Sequence, residues 1–192
     1  MRNRVLLFLG AMLAAPLFAQ QPGQVQPPPV RLEIALTYDA MRSNVVTDTA
    51  FWLQGGSVQV HGQFWRGLGA VADLAGLHEG NINSSGVGLD LVTATFGARY
   101  ALAPSGNGPW AIYCQGLVGV ADGRNSVFPD TAGAQTSSTG IAVQAGGGLN
   151  VALSSPIVLR VFEGNWVRTD LPNGTKNVQN NLRLGAGVIF WF

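Results

Sequence analysis

Large apolar residues alternate with small or polar ones along eight stretches of the chain. The last, 181–192 (NLRLGAGVIFWF), sets Leu182, Leu184, Ala186, Val188, Phe190 and Phe192 on one parity and Arg183, Gly185, Gly187, Ile189 and Trp191 on the other. Such a period of two predicts a strand whose faces meet different surroundings. The stretch 30–40 behaves alike, with Val30, Leu32, Ile34, Leu36 and Tyr38 opposed to Arg31, Glu33, Ala35, Thr37 and Asp39. Strands are expected again at 51–64, 68–77, 87–102, 110–121, 140–152 and 157–169. The last of these six holds Arg160 and Glu163 on opposite parities, so either one of them lies beyond the apolar zone or a bulge intervenes.

The connections alternate too. Those at 41–50, 78–86, 122–139 and 170–177 are mostly polar and reach 18 residues, whereas 65–67, 103–109 and 153–156 are generally shorter. An even number of strands, each near the ~9–11 residues a tilted bilayer-crossing strand needs, with long loops at one end and short turns at the other, predicts an all-β, eight-stranded antiparallel up-and-down transmembrane barrel. Closure is required in lipid, where an open sheet edge would leave its backbone groups without partners, so the eighth strand is expected to pair with the first. A soluble exported barrel holding a small ligand in an apolar cavity shares the alternation with the faces exchanged.

Composition moves the balance towards lipid. Charged residues make up 11% of the chain, against a usual ~25%, and Gly is abundant at 26 of 192. Aromatics gather near the short connections and the terminus (Phe64, Trp65, Tyr100, Trp110, Phe190, Trp191 and Phe192) as an interfacial girdle would. Phe51, Trp52, Trp166 and Tyr38 are candidates for a second belt at the other end.

The amino end reads as an export address. Arg2 and Arg4 precede an uncharged run from Val5 to Ala19, too short for a spanning helix but suited to a signal peptide cleaved after Ala19. Residues 20–29 (QQPGQVQPPP) form a Pro/Gln-rich leader, expected in the periplasm, and 30–192 the barrel. Removing Arg2 and Arg4 from the 11 basic residues leaves nine against 10 acidic, a formal −1, and no basic field that would call for nucleic acid. Cys114 stands alone and on the apolar parity, and His61 and His78 form no compact ligand pattern, so neither a metal nor another cofactor is expected.

The polar parity defines a candidate interior: Arg31, Glu33, Asp39, Gln59, His61, Asp73, Arg99, Gln115, Gln144, Asn150 and Arg183, with Arg160 a further candidate. Eight strands enclose room only for side chains or one small ligand, and buried charges there must be paired. A packed polar plug is the leading expectation, with a narrow path for ions or small solutes as the alternative. A lipid-modifying enzyme is a third reading, for which His78 and Glu79 near Ser84 and Ser85 would supply the chemistry, although HEGNINSSG also reads as a polar turn. Gly146-Gly147-Gly148 lies inside a strand with no following helix or lysine and is no phosphate cradle.

The Gly97-Ala98-Arg99-Tyr100 strand end, the Gln179-Asn180-Asn181-Leu182-Arg183-Leu184 run and the closing Gly187-Val188-Ile189-Phe190-Trp191-Phe192 resemble the small eight-stranded outer-membrane β-barrel family, the OmpA-like transmembrane domain in its broad sense. The resemblance implies a monomer in the outer membrane of a Gram-negative-type bacterium, surrounded by membrane lipid and lipopolysaccharide. It also implies that Phe190 and Phe192 are read by the barrel-assembly machinery. Longer members carry a peptidoglycan-binding domain after the barrel, and none follows here. A structural or surface-interaction role without catalysis is the expectation.

Overall fold

The computed structural model describes residues 31–45, 50–102, 109–130, 133–154, 157–173 and 177–192. The signal peptide and the leader lie outside the described residues. Eight strands follow one another: β1 (Arg31–Ser43), β2 (Phe51–Trp65), β3 (Leu68–Glu79), β4 (Leu89–Leu102), β5 (Trp110–Asp130), β6 (Gly133–Ser154), β7 (Ile157–Thr169) and β8 (Gln179–Trp191). Each pairs antiparallel with its neighbour in sequence, and β8 closes on β1 from Glu33↔Trp191 to Arg42↔Leu182, leaving a closed barrel.

The parities sort as the alternation dictates. Leu36, Val58, Leu74, Phe96, Val118, Ile141 and Leu182 face outward, while Ser57, Gln59, Asp73, Thr95, Arg99, Gln144 and Arg183 are buried. An exposed band this apolar exceeds what a soluble monomer carries, and its medium is lipid. Trp52 and Phe64 mark its two margins on β2, both about half exposed. At ~3.3 Å per residue and a tilt of ~45°, the 12 steps between them rise about 28 Å, the thickness of a hydrocarbon layer. Around the Trp52 margin the outward parity turns polar, with Arg42, Gln54, His78, Arg168 and Asn180 exposed.

The tight turn between β2 and β3 needs a residue without a side chain. Arg66 and Gly67 both adopt positive φ, 33° and 89°, the two-residue form whose twist matches a hairpin.

Two expectations are corrected, and one open alternative is decided. The span 122–139 is not a loop of 18 residues: β5 runs to Asp130 and β6 starts at Gly133, so most of it is a paired ribbon rising beyond the wall. Alternation slips there because Arg124 and Asn125 are both exposed where the register shifts, while the backbone ladder continues and Phe128 still turns inward. Phe51 does not join the outer belt; it is buried inside, and Tyr38, Trp52 and Trp166 hold that level from the outside. On β7 a bulge intervenes. Arg160↔Gly187 is followed by Glu163↔Gly185, so one extra residue on β7 turns Val161 and Phe162 both outward and Arg160 and Glu163 both inward.

Candidate functional site: the charged lumen

The inward side chains form three tiers. The middle tier is ionic. Arg183 Nη2 meets Asp73 Oδ2 and lies 3.6 Å from Glu163 Oε1, and Arg160 Nη1 donates to Glu163 Oε2 at 2.7 Å. Gln59 joins the two carboxylates, its Nε2 donating to Asp73 at 3.0 Å and to Glu163 at 2.8 Å. Its carbonyl oxygen accepts from Arg99 at 2.5 Å and from Arg160 at 2.6 Å. Arg99 also donates to Gln115, which passes the chain on to Asn165 and thence to Glu163. Gln144 donates to Asp73 at 3.2 Å.

Tyr113 lies across the lumen between two guanidiniums, 4.2 Å from that of Arg99 and 5.1 Å from that of Arg160, and its hydroxyl donates to Glu163. Space for the ring comes from β6. A Cβ at Gly148 would stand 2.7 Å from the Tyr113 hydroxyl and 2.5 Å from the Phe162 carbonyl oxygen. Of the three buried arginines (Arg99, Arg160, Arg183), two pair directly with Asp73 and Glu163. A third acid, Asp39, is buried in the lumen without an ion pair among the described residues, so acids and arginines are equal in number. In a medium that strongly penalises lone ions, such balance and cross-bonding are what make the tier tenable.

Towards the chain termini the lumen opens. His61 Nδ1 lies 3.0 Å from Glu33 Oε2, and Asn150 accepts from Arg160 Nε at 3.4 Å. These groups line a mouth of about 460 Å³ shared with Arg99, Tyr113 and Trp191. Arg31 pairs with Gln63 through its backbone, and its side chain lies outside the described residues. Phe190 lies on the closing strand and is half-buried, and Phe192, just past its end, is exposed.

At the opposite end an apolar cluster sits beside a buried polar strip in which Ser43, Thr169, Gln179 and Asn181 bond one another. Met41, Phe51, Leu53, Leu77, Leu89, Leu91 and Phe128 pack with Val167 and Leu171 into one buried cluster. Side chains are thus buried within the barrel at this level as well as at the ionic tier. Sequence reasoning missed this cap, and it missed Tyr113, Glu163 and Asn165 as members of the network. A signal existed: Leu53, Leu77, Leu89 and Leu91 share the parity of Gln59, Asp73 and Thr93.

The outer connection after β3 is a short 3-10 turn, Ile82–Ser84. His78 Nδ1 sits 2.5 Å from Asp90 Oδ1, and Asn125 holds the other oxygen of that carboxylate. Ser85 Oγ accepts from the Val87 amide at 3.2 Å, closing the turn. The serine thereby serves the local backbone, as the polar-turn reading of HEGNINSSG requires. Cys114 faces outward among the apolar residues of β5. Among the described residues no cluster of three or more His, Cys, Asp or Glu is placed to hold a metal.

No family model and no curated protein sequence matches the chain. Solved structures do. Neisserial surface protein A superposes with a TM-score of 0.59 at 13% identity, over 85% of this chain and 97% of that one. Ail, the attachment invasion locus protein of Yersinia pestis, solved in complex with the heparin analogue sucrose octasulfate, gives 0.52 at 17% identity over 84% and 99%. The outer membrane protein OprG from Pseudomonas aeruginosa gives 0.50 at 10% identity over 85% and 96%. The chain shares with these proteins the fold of the small eight-stranded outer-membrane barrels.

Proposed function

We propose that the chain is a small integral outer-membrane protein whose barrel is a structural anchor and whose outer ribbon and loops are the working surface. The observation that carries this reading is the doubly closed lumen: a cross-bonded ionic tier around Glu163 and Asp73, then an apolar cap around Phe51 and Leu91. A conducting or transporting barrel would keep a wet path, and the buried side chains at both levels weigh against one. The extended β5–β6 ribbon lifts Val127, Pro129 and the polar run 134–139 beyond the wall, where a partner on another surface could reach them. One of the superposed barrels is named a surface protein and another an attachment invasion locus protein, which fits the same division of labour.

In this reading the amino-terminal segment directs export and is removed, both chain ends lie in the periplasm, and the protein is a monomer in contact with outer-membrane lipid and lipopolysaccharide. Phe190 and Phe192, on the strand that closes the barrel, are the residues the assembly machinery would read. Reconstitution tests the proposal. Protein inserted into planar bilayers should show the heat-dependent electrophoretic mobility of a folded barrel and no steady unitary current. Large reproducible currents would replace the anchor by a channel. Adding purified assembly machinery should speed insertion of the parent chain and not of one lacking Phe190 and Phe192.

A further inference from the structure

The outward-facing arginines differ in how their charge is answered. Arg124, on β5, is held by Asp122 at 2.5 Å. Arg42, on the lipid-facing parity of β1, has no carboxylate partner among the described residues, and Arg168 on β7 meets Asp170 only through Nε, at 3.6 Å. The register brings these two to one seam. Arg42 stands opposite Leu182 of β8, and Arg168 stands opposite Asn180 of the same strand, so two guanidiniums flank a single exposed amide. A groove of about 290 Å³ opens on the Arg42 side of that amide, lined by Arg42, Ser43, Asn44, Ala50, Asn180 and Leu182, with Arg168 across β8 from it.

Directly beneath are exposed apolar groups. Trp52 is the β2 partner of Arg42, and Trp166 is the β7 partner of Leu182; all three are between two-fifths and half exposed, at 47%, 43% and 47%. The seam therefore stacks the unpaired Arg42 and the loosely paired Arg168 over an aromatic-aliphatic step at the margin of the apolar band. We infer that it binds the phosphomonoester of an outer-leaflet glycolipid, with Arg42 and Arg168 on the phosphate, Asn180 on its oxygens or the adjoining sugar, and the acyl chains against Trp52, Trp166 and Leu182. A free phosphate would satisfy only the upper half of this surface. A doubly charged, three-oxygen terminus suits two guanidinium forks better than the single charge of a phosphodiester.

The inference rests on the outer-membrane reading, and the experiment separates the two. The full chain is refolded into phosphatidylcholine nanodiscs containing a minority of lipid A, of dephosphorylated lipid A, or of phosphatidylglycerol, and the lipid retained on the protein after mild detergent extraction is counted by native mass spectrometry. The parent chain should retain lipid A over the other two. Combined Arg42→Gln and Arg168→Gln should lower that retention roughly tenfold or more, as expected for two interfacial arginine–phosphate contacts. Arg124→Gln, on the far wall, should leave it unchanged. Heat-modifiable mobility reports folding in every sample. Failure of the parent chain to acquire it in bilayers overturns the membrane reading. Folded protein that holds phosphate-free lipid A or phosphatidylglycerol as well as lipid A, or a double variant that retains as much as the parent, overturns the seam alone.

Discussion

Glu163→Gln is the sharpest perturbation of the lumen because every partner of this carboxylate is a donor. Oε1 accepts from Gln59 at 2.8 Å and from Asn165 at 2.7 Å, and Oε2 accepts from Arg160 at 2.7 Å and from Tyr113. A glutamine keeps the shape but exchanges one oxygen for an NH₂ group, which must then face two donors. Hydrogen bonds to charged groups contribute about 1.5–3 kcal/mol each, and the change breaks two of them. It also leaves Arg99, Arg160 and Arg183 against only Asp39 and Asp73. Removing one partner from a buried ion pair costs about 3–5 kcal/mol, a figure that already contains most of the lost hydrogen bonding, so the two are not added.

The expected destabilisation is thus about 3–5 kcal/mol. Urea unfolding of the barrel in phospholipid vesicles, followed by tryptophan fluorescence and checked by heat-modifiable mobility, measures it. Introducing Arg160→Met into the Glu163→Gln background should give back part of the loss, because the cation left unanswered is then gone. The double variant should lie above the sum of the single effects by roughly 1–3 kcal/mol. A Glu163→Gln barrel within about 1 kcal/mol of its parent, or strict additivity in the cycle, would refute the claim that this tier is held by coupled charges.

Two further outcomes test packing and closure. Gly148→Ala should destabilise by about 1–3 kcal/mol or more, since its methyl group would strike the Phe162 carbonyl and the Tyr113 hydroxyl. Gly116→Ala, where a Cβ meets nothing within 4 Å, should be near neutral in the same unfolding assay. Deleting residues 183–192 should abolish heat-modifiable, protease-resistant protein altogether. It strips β1 of the partner it has from Glu33 to Met41, and each backbone group left unpaired in lipid costs several kcal/mol.

Alternation made the wall legible before any coordinates. It set the inward direction of Gln59, Asp73, Arg99, Gln144 and Arg183 because a strand has only two faces and lipid tolerates no charge on one of them. It was blind in two places, each for a physical reason. Parity counts one residue per step, so the extra residue on β7 hid the pairing of Arg160 with Glu163. And an apolar residue on the inward parity is marked only by its register with distant polar neighbours, not by its own chemistry. Phe51 looked like a belt aromatic and Leu91 like part of a strand end, although both pack inside. The contact between Tyr113 and Glu163, fifty positions apart, depends on the barrel's diameter and on the gap at Gly148, neither of which is written in local pattern.

The bulge and the ionic tier are best understood as a single device. Without the extra residue, regular alternation on β7 would point either Arg160 or Glu163 at the bilayer. An arginine on the lipid face near the midplane costs about 2–4 kcal/mol, and the partner stranded inside would be an uncompensated ion as well. The bulge instead turns two adjacent apolar residues, Val161 and Phe162, to the lipid and sends both charges inward. There Arg160 reaches Gln59, on the far side of the lumen, as well as Glu163 on its own strand. Gln59 in turn ties β2 to Asp73 on β3, and Arg183 ties Asp73 to β8. One inserted residue thereby lets β7 supply two ions to a lattice that spans the barrel, and the local loss of ladder regularity is offset by bonds running across the lumen rather than along the wall.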